Sequence, residues 1–199
     1  ARGLSFRRDG PLDMRLDPGG PETAADLLAR ASEGELAEII FRYGEDRLAR
    51  RIARKLVEAR QVAPITTTSR VAEIVRSAYP PAMARKSRID PATRTFQALR
   101  IAVNDELGAL ESLLRAIEAE AERMARDEGA GDGWLRAGAR VAIISFHSLE
   151  DRPVKRCFAA LAERGLAQRL TRKPIVAGEE ETGLNPRARS AKLRAIRLG

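Results

Sequence analysis

Arg140-Val141-Ala142-Ile143-Ile144-Ser145-Phe146 is a short, nearly continuous apolar run, and it comes late in the chain. A run of this kind reads as a strand buried on both faces, as in a parallel sheet. No segment before it reads as a strand. After it, Lys192-Leu193-Arg194-Ala195-Ile196-Arg197-Leu198 alternates partly and reads as a final strand. One helix-connected strand pair cannot bury itself as a domain. The pattern therefore predicts the second half of an α/β sheet with a helical insertion in front. The first half of that sheet is expected to lie outside these 199 residues.

The helical part is read from caps and periodicity. Residues 1–22 are turn-rich, with Asp9-Gly10-Pro11 and Asp17-Pro18-Gly19-Gly20-Pro21, and a segment so irregular is expected to pack on something preceding it. Thr23 can cap a helix to about Ala31, and Ser32 with Glu35 forms a capping box. Leu36, Ile39, Ile40 and Tyr43 then share one face, and Gly44 suits the helix end. Leu48, Ile52 and Leu56 mark the next helix, whose other side carries Arg47, Arg50, Arg51, Arg54, Lys55 and Arg60. Thr66-Thr67-Thr68 caps a helix that Pro80-Pro81 ends. Residues 82–92 read as a basic linker, Ala92 to Arg126 as one long helix, and 127–133 as a Gly/acid loop. His147 to Arg152 leads into a helix with Pro153 in its first turn and Cys157 on its core face. Residues 166–190 read as loop.

Composition narrows the partners. There are 36 Lys+Arg, only five of them Lys, against 28 Asp+Glu, a net charge of +8. Such an excess favours an anionic partner, nucleic acid first, although a GC-rich genome that codes Arg for Lys explains the Arg:Lys ratio about as well. One cysteine excludes a disulfide scaffold. No run nears the roughly 18 apolar residues of a membrane span, and the N-terminus lacks a signal-like apolar stretch. A cytoplasmic protein without a membrane partner is the expectation. The sequence has no CxxC, HExxH, P-loop or GxGxxG motif, so metal and nucleoside-triphosphate chemistry have no support.

Five polar, irregular segments could carry chemistry: Asp9 to Arg15; Asp90 to Arg100, continuing to Asn104-Asp105-Glu106; Ser145 to Arg152; Lys173-Pro174; and Asn185-Pro186-Arg187-Ala188-Arg189-Ser190. The third follows a strand and opens a helix, where α/β proteins place ligands. His147, the only histidine, reads either as a polar contact or proton acceptor or as a structural residue holding the turn. Ser148 suits the helix N-cap. Asp151 and Glu150 also fit as first-turn acids favoured by the helix dipole, a reading preferred for Glu150. Arg187 and Arg189 suit phosphates or a salt bridge to Glu179-Glu180-Glu181. The arginine face at 47–60 suits an RNA backbone or plain solvent.

These stretches together resemble the H-type bacterial 16S rRNA cytosine-N4 methyltransferases. The resemblance is carried by Arg2 to Phe6 with Asp9 to Arg15; Tyr43-Gly44-Glu45 through Arg54; Pro64 to Thr68; Pro91 to Ile101 with Asn104 and Glu106-Leu107; Ser145 to Arg152; and Asn185 to Ser190. It implies a partial class I (Rossmann-like) methyltransferase sheet with an inserted all-helical substrate-recognition domain. Residues 1–22 would lead out of the first half of the catalytic domain. Residues 23–89 would be the insert, and 90–199 the returning half. The family's glycine-rich cofactor loop, the acidic residue after it and its catalytic Asp strand end all precede the match to residue 1. The S-adenosylmethionine site is therefore expected to be mostly absent from this chain.

The resemblance further implies methyl transfer to the exocyclic N4 amine of a cytosine in the decoding region of 16S rRNA, with the small ribosomal subunit as partner. A non-catalytic rRNA-binding fragment is the alternative for the chain as it stands. On this basis His147, Ser148, Asp151 and Asp13 are the expected catalytic residues. Arg15, Arg94, Arg100, Asn104, Arg152, Asn185, Arg187, Arg189 and Ser190 are the expected substrate contacts.

Overall fold

The structure is a computed structural model that describes residues 3–86, 89–126 and 133–199. It divides into two compact units, Ala1–Glu106 and Leu107–Gly199.

The first unit is helical: α1 (Ala24–Arg30), α2 (Glu33–Gly44), α3 (Ala49–Val62), α4 (Thr68–Ala78), α5 (Pro81–Lys86) and α6 (Ala92–Asn104). The sequence starts several of them unambiguously. Thr23 and Ser32 each make a capping box, with Asp26 and Glu35 returning the bond to the cap N–H. Thr67 caps α4 by accepting from the Arg70 N–H. The buried faces bring Leu27, Leu28, Leu36, Ile40, Ile52, Leu56, Val71, Val75 and Leu99 into one core. The turn-rich start of the chain packs there too, against α1 and α4: Leu12 and Met14 are core residues. The Leu12 N–H donates to the Thr66 carbonyl (2.9 Å), and Ala24 N–H donates to Asp13 (2.7 Å).

Three expectations are corrected here. Gly44 does not supply the left-handed helix end, since Glu45 takes that conformation (φ 49°). Gly44 instead lets α6 approach, because a Cβ there would lie 2.8 Å from the Arg94 carbonyl oxygen. Next, the proposed linker at 82–92 contains α5, begun by Pro81, whose fixed φ suits a first helical turn. Lastly, the long helix breaks at Asp105 (φ 46°), separating α6 from α7 (Glu106–Ala125). The break turns Glu106 back to receive a bidentate pair from Arg100 at 2.8 and 3.0 Å.

Gly44→Ala should therefore destabilise the first unit by about 2 kcal/mol, the usual scale for forcing a methyl into a packed contact. Gly34→Ala, on the open face of the same helix, should stabilise by up to about 1 kcal/mol through helix propensity. Urea unfolding of both variants checks the pair. A neutral Gly44→Ala would mean the two helices can part without cost.

The second unit holds most of α7, then β1 (Arg140–Ser145), α8 (Ser148–Glu163), β2 (Ala167–Arg169), β3 (Ile175–Val176), α9 (Glu179–Leu184), a 3-10 turn (Pro186–Ser190) and β4 (Lys192–Leu198). The sheet is antiparallel, in the order β1-β4-β2, with β3 also on β4. Leu114 and Ile117 of α7, Val154, Phe158 and Leu161 of α8, and Ile196 and Leu198 of β4 form its core. Burial also pushes the Cys157 thiol up to about 12, as expected of a core cysteine.

Among the described residues β1 pairs with β4 alone, antiparallel, and is not buried on both faces. Its residues alternate, with Val141 and Ile143 leaning on the core and Ile144 exposed, because among the described residues the α7 and α8 side chains cover only one face of the strand. Residues 166–190, read as loop, contain the short β2, β3 and α9. Pro153 is the sixth residue of α8, past the first turn. No described helix is long and apolar enough to cross a membrane.

Candidate functional site

In the second unit the candidate residues gather where β1 gives way to α8. His147, not Ser148, is the N-cap. Its Nδ1 accepts the Glu150 N–H at 3.3 Å, so in this arrangement the proton of the neutral ring sits on Nε2. The Glu150 carboxylate returns to the His147 N–H (3.3 Å) and the Phe146 N–H (2.7 Å). The histidine and the first-turn acid thus close a reciprocal cap, and the structural reading of Glu150 holds. Ser148 follows as the first residue of the helix.

Asp151 is buried (8% exposed), and a dipole role alone does not account for it. Its two oxygens receive Arg194 in bidentate fashion at 2.7 and 3.1 Å, and the Lys192 ammonium lies 3.7 Å away. The Arg194 guanidinium holds the Asp151 carboxyl below its ordinary value, against the opposing pull of burial. Asp151 is therefore a firmly ionised acceptor, not a group poised to carry a proton near neutrality.

Sequence reasoning missed Lys192 and Arg194. Two cations at i and i+2 share one face of a strand, and that spacing was the available signal. Their partner stands 43 residues from Arg194 in sequence, which no local pattern reveals.

Antiparallel register sets Lys192 opposite Ser145, the last residue of β1. The segment Asn185–Ser190 ends two residues before Lys192, about 7 Å of extended chain. It is thereby delivered to the same end of the sheet as His147. Asn185 accepts the Arg187 N–H at 3.2 Å and so caps the 3-10 turn. Arg187, Arg189 and Ser190 are exposed. Among the described residues neither guanidinium forms an ion pair, so the proposed bridge to Glu179–Glu181 is not formed there. Arg152 is exposed on the first turns of α8.

In the first unit Asp13, Arg15 and Asn104 meet. Asp13 takes Arg15 through two side-chain bonds of 2.7 and 3.0 Å and also accepts the Arg15 N–H. Asn104 clamps the residues beside them. Its amide nitrogen donates to the Met14 carbonyl (2.9 Å), and its oxygen accepts the Leu16 N–H (2.7 Å). Met14 between them is fully buried with φ 64°, a conformation a non-glycine residue holds only when its surroundings enforce it. Arg100 is engaged by Glu106, and Arg94 donates to the Glu45 carbonyl (3.2 Å).

Two described turns lead from strand to helix, Phe146-His147 after β1 and Ala177-Gly178 after β3. Neither is a glycine-rich cradle. The described residues do not by themselves build a binding site for a dinucleotide- or adenosyl-type cofactor.

Comparison with known proteins bears on all of this. A model of the MraW methylase family matches residues 1–198. A protein named ribosomal RNA small subunit methyltransferase H from Synechococcus sp. (strain WH7803) is 52% identical over 199 residues, 99% of this chain and 59% of that protein. The protein of the same name from Deinococcus deserti is 53% identical over 194 residues, 98% and 58% of the two chains. That from Acidobacterium capsulatum is 52% identical over 194 residues, 98% and 59%. The chain thus spans under two thirds of the length of these relatives.

Proposed function

The chain belongs to the MraW methylase family, and on that premise we propose that it forms part of an S-adenosylmethionine-dependent methyltransferase acting on small-subunit ribosomal RNA. The target is the exocyclic N4 amine of a cytosine in the decoding region of 16S rRNA. Methylation of small-subunit rRNA is supported by identity above 50% along essentially the whole chain to proteins named ribosomal RNA small subunit methyltransferase H; the N4 amine and the decoding region rest on the sequence resemblance alone. In this reading the four strands belong to a class I sheet, residues 23–89 are its substrate-recognition insert, and the protein works in the cytoplasm on the small ribosomal subunit.

S-adenosylmethionine would supply an electrophilic methyl group. The described residues do not build its site alone, so we assign the cofactor to the part of the relatives' length beyond this chain. What this chain offers is substrate handling. A cytosine N4 lone pair is conjugated into the ring, so the amine is a weak nucleophile. Alignment and acceptors for its N–H protons are what a protein can add. The base must also be out of its stack to be reached.

We assign His147, Ser148 and Asp151 to the border of the cytosine pocket. Asp151 serves as the ionised acceptor that Arg194 keeps in place. In the first unit, Asp13 and Arg15 of the clamped turn are assigned to substrate as well. Asn185, Arg187, Arg189 and Ser190 hold flanking phosphates, the role suited to exposed guanidiniums without internal partners. Arg94, Arg100, Asn104 and Arg152 complete the substrate side, and the internal bonds of the first three make them positioning residues.

The test uses a protein carrying this chain within the relatives' full length, small ribosomal subunits and labelled S-adenosylmethionine. Nuclease digestion should yield the label in N4-methylcytidine of 16S rRNA, and label elsewhere overturns the reading. His147→Ala should lower turnover more than RNA affinity. Arg187→Ala should weaken RNA binding and reduce its salt slope by about 0.7–0.9. An unchanged slope removes Arg187 from the phosphate contacts.

A further inference from the structure

α2 buries Leu36 and Ile40 and turns Phe41 outward, 60% exposed. The exposed ring offers a flat apolar face on which another aromatic system can stack. Gly34 and Ala37 precede it by seven and four residues, on the same face of the helix. Being small, they leave an open shelf beside the ring, and the groove over this face measures about 720 Å³.

The groove is also charged in one sense. Arg47 and Arg50 line its far side, and among the described residues neither enters an ion pair. Its two acids are both compensated: Glu33 by Arg54 at 3.6 Å and Glu38 by Arg42 at 3.7 Å. An apolar ring face flanked by two unspent guanidiniums matches one chemistry closely, an unpaired nucleotide with its base on the ring and its phosphates on the arginines. A duplex would offer phosphates but no free base face.

We propose that Phe41, Arg47 and Arg50 form a single-stranded RNA subsite, in which Phe41 stacks one unpaired base and the two arginines hold the adjoining phosphates. This rests on the rRNA reading above and adds to it the form of RNA that the helical unit grips.

The test is fluorescence anisotropy of the 199-residue chain with a dye-labelled, unstructured pyrimidine RNA, across a salt series. Phe41→Ala should weaken binding roughly tenfold with the salt slope unchanged, since stacking releases no counterions. Phe41→Trp should restore it. Arg47→Gln with Arg50→Gln should reduce the slope by about 1.4, two single-strand phosphate contacts. Circular dichroism melts of the Phe41 variants should match wild type, the ring being exposed.

Several results overturn the subsite: unchanged binding by Phe41→Ala, an equal loss of affinity for the same strand in duplex form, or no RNA binding by the wild-type chain. A poly-glutamate probe that responds to Phe41→Ala as the RNA does would also overturn it, in favour of an acidic peptide. The rRNA reading fails separately. If Phe41 governs RNA binding but the methyl label appears outside 16S rRNA, the subsite stands and that reading falls.

Discussion

Asp151→Ala is expected to lower the stability of the 107–199 unit by about 3 kcal/mol, the scale for stranding one partner of a buried ion pair. The side chains of Asp151 and Arg194 are each only 11% exposed, so solvent does little to screen the guanidinium left behind. A loss of that size should move the unit's melting temperature down by roughly 15 °C. Arg194→Met in the same background should recover much of the loss, because the double variant strands no charge. A double variant no better than Asp151→Ala would mean the pair is not the unit's stabilising contact. The pH dependence follows from the sign of the shift. Arg194 holds the folded-state value of Asp151 below its ordinary 3.8. The stabilisation is thus fully present above that value and lost as pH falls through the lower folded one. Asp151→Asn should flatten this part of the acid limb.

Asn104→Ala should cost the first unit about 2 kcal/mol, from three hydrogen bonds at roughly 1 kcal/mol each less what water returns. These bonds tie Leu16 and Met14 to a helix some 90 residues later and also engage the Arg100 carbonyl. Asn104→Asp is the sharper probe. It keeps the acceptor for the Leu16 N–H but faces a carboxylate towards two carbonyl oxygens. It should be at least as damaging as alanine near neutral pH and should recover in acid, when the carboxyl can donate. Urea unfolding at two pH values reads the difference. An aspartate variant with wild-type stability would show that the amide nitrogen contributes nothing. On the proposed function, freeing Met14 from its left-handed conformation in the full-length protein should release Asp13 and Arg15 together and lower turnover more than RNA affinity.

Local signals were legible and distant ones were not. Thr23, Ser32 and Thr67 announce their helices, because a cap and its partner lie within one turn. The strand at 140 is announced by its apolar run but its burial is not, since a run of Val, Ala and Ile looks the same whether one face is covered or two. β2 and β3 are three and two residues long, too short for any period to register. The stop at Asp105 is invisible because the apolar pattern continues through it; the turn is enforced by bonds from Asn104 and Arg100. The candidate segment at His147 is marked in the sequence by its position after a strand. The partners that set its charge state, Arg194 and Lys192, lie a full sheet crossing away.

β4 is the last of the described strands in chain order, yet each of the other three is hydrogen-bonded to it. During synthesis the helical unit is complete at Glu106, while β1, β2 and β3 emerge before β4, the strand that joins them in the described sheet. At about 5–20 residues per second, the remaining 93 residues take roughly 5–20 s to appear. Over that interval one of the two described units is finished and the other still lacks the strand that joins its described strands. A chaperone that shields apolar strands should find its substrate in the second unit, and should be released when β4 clears the exit tunnel.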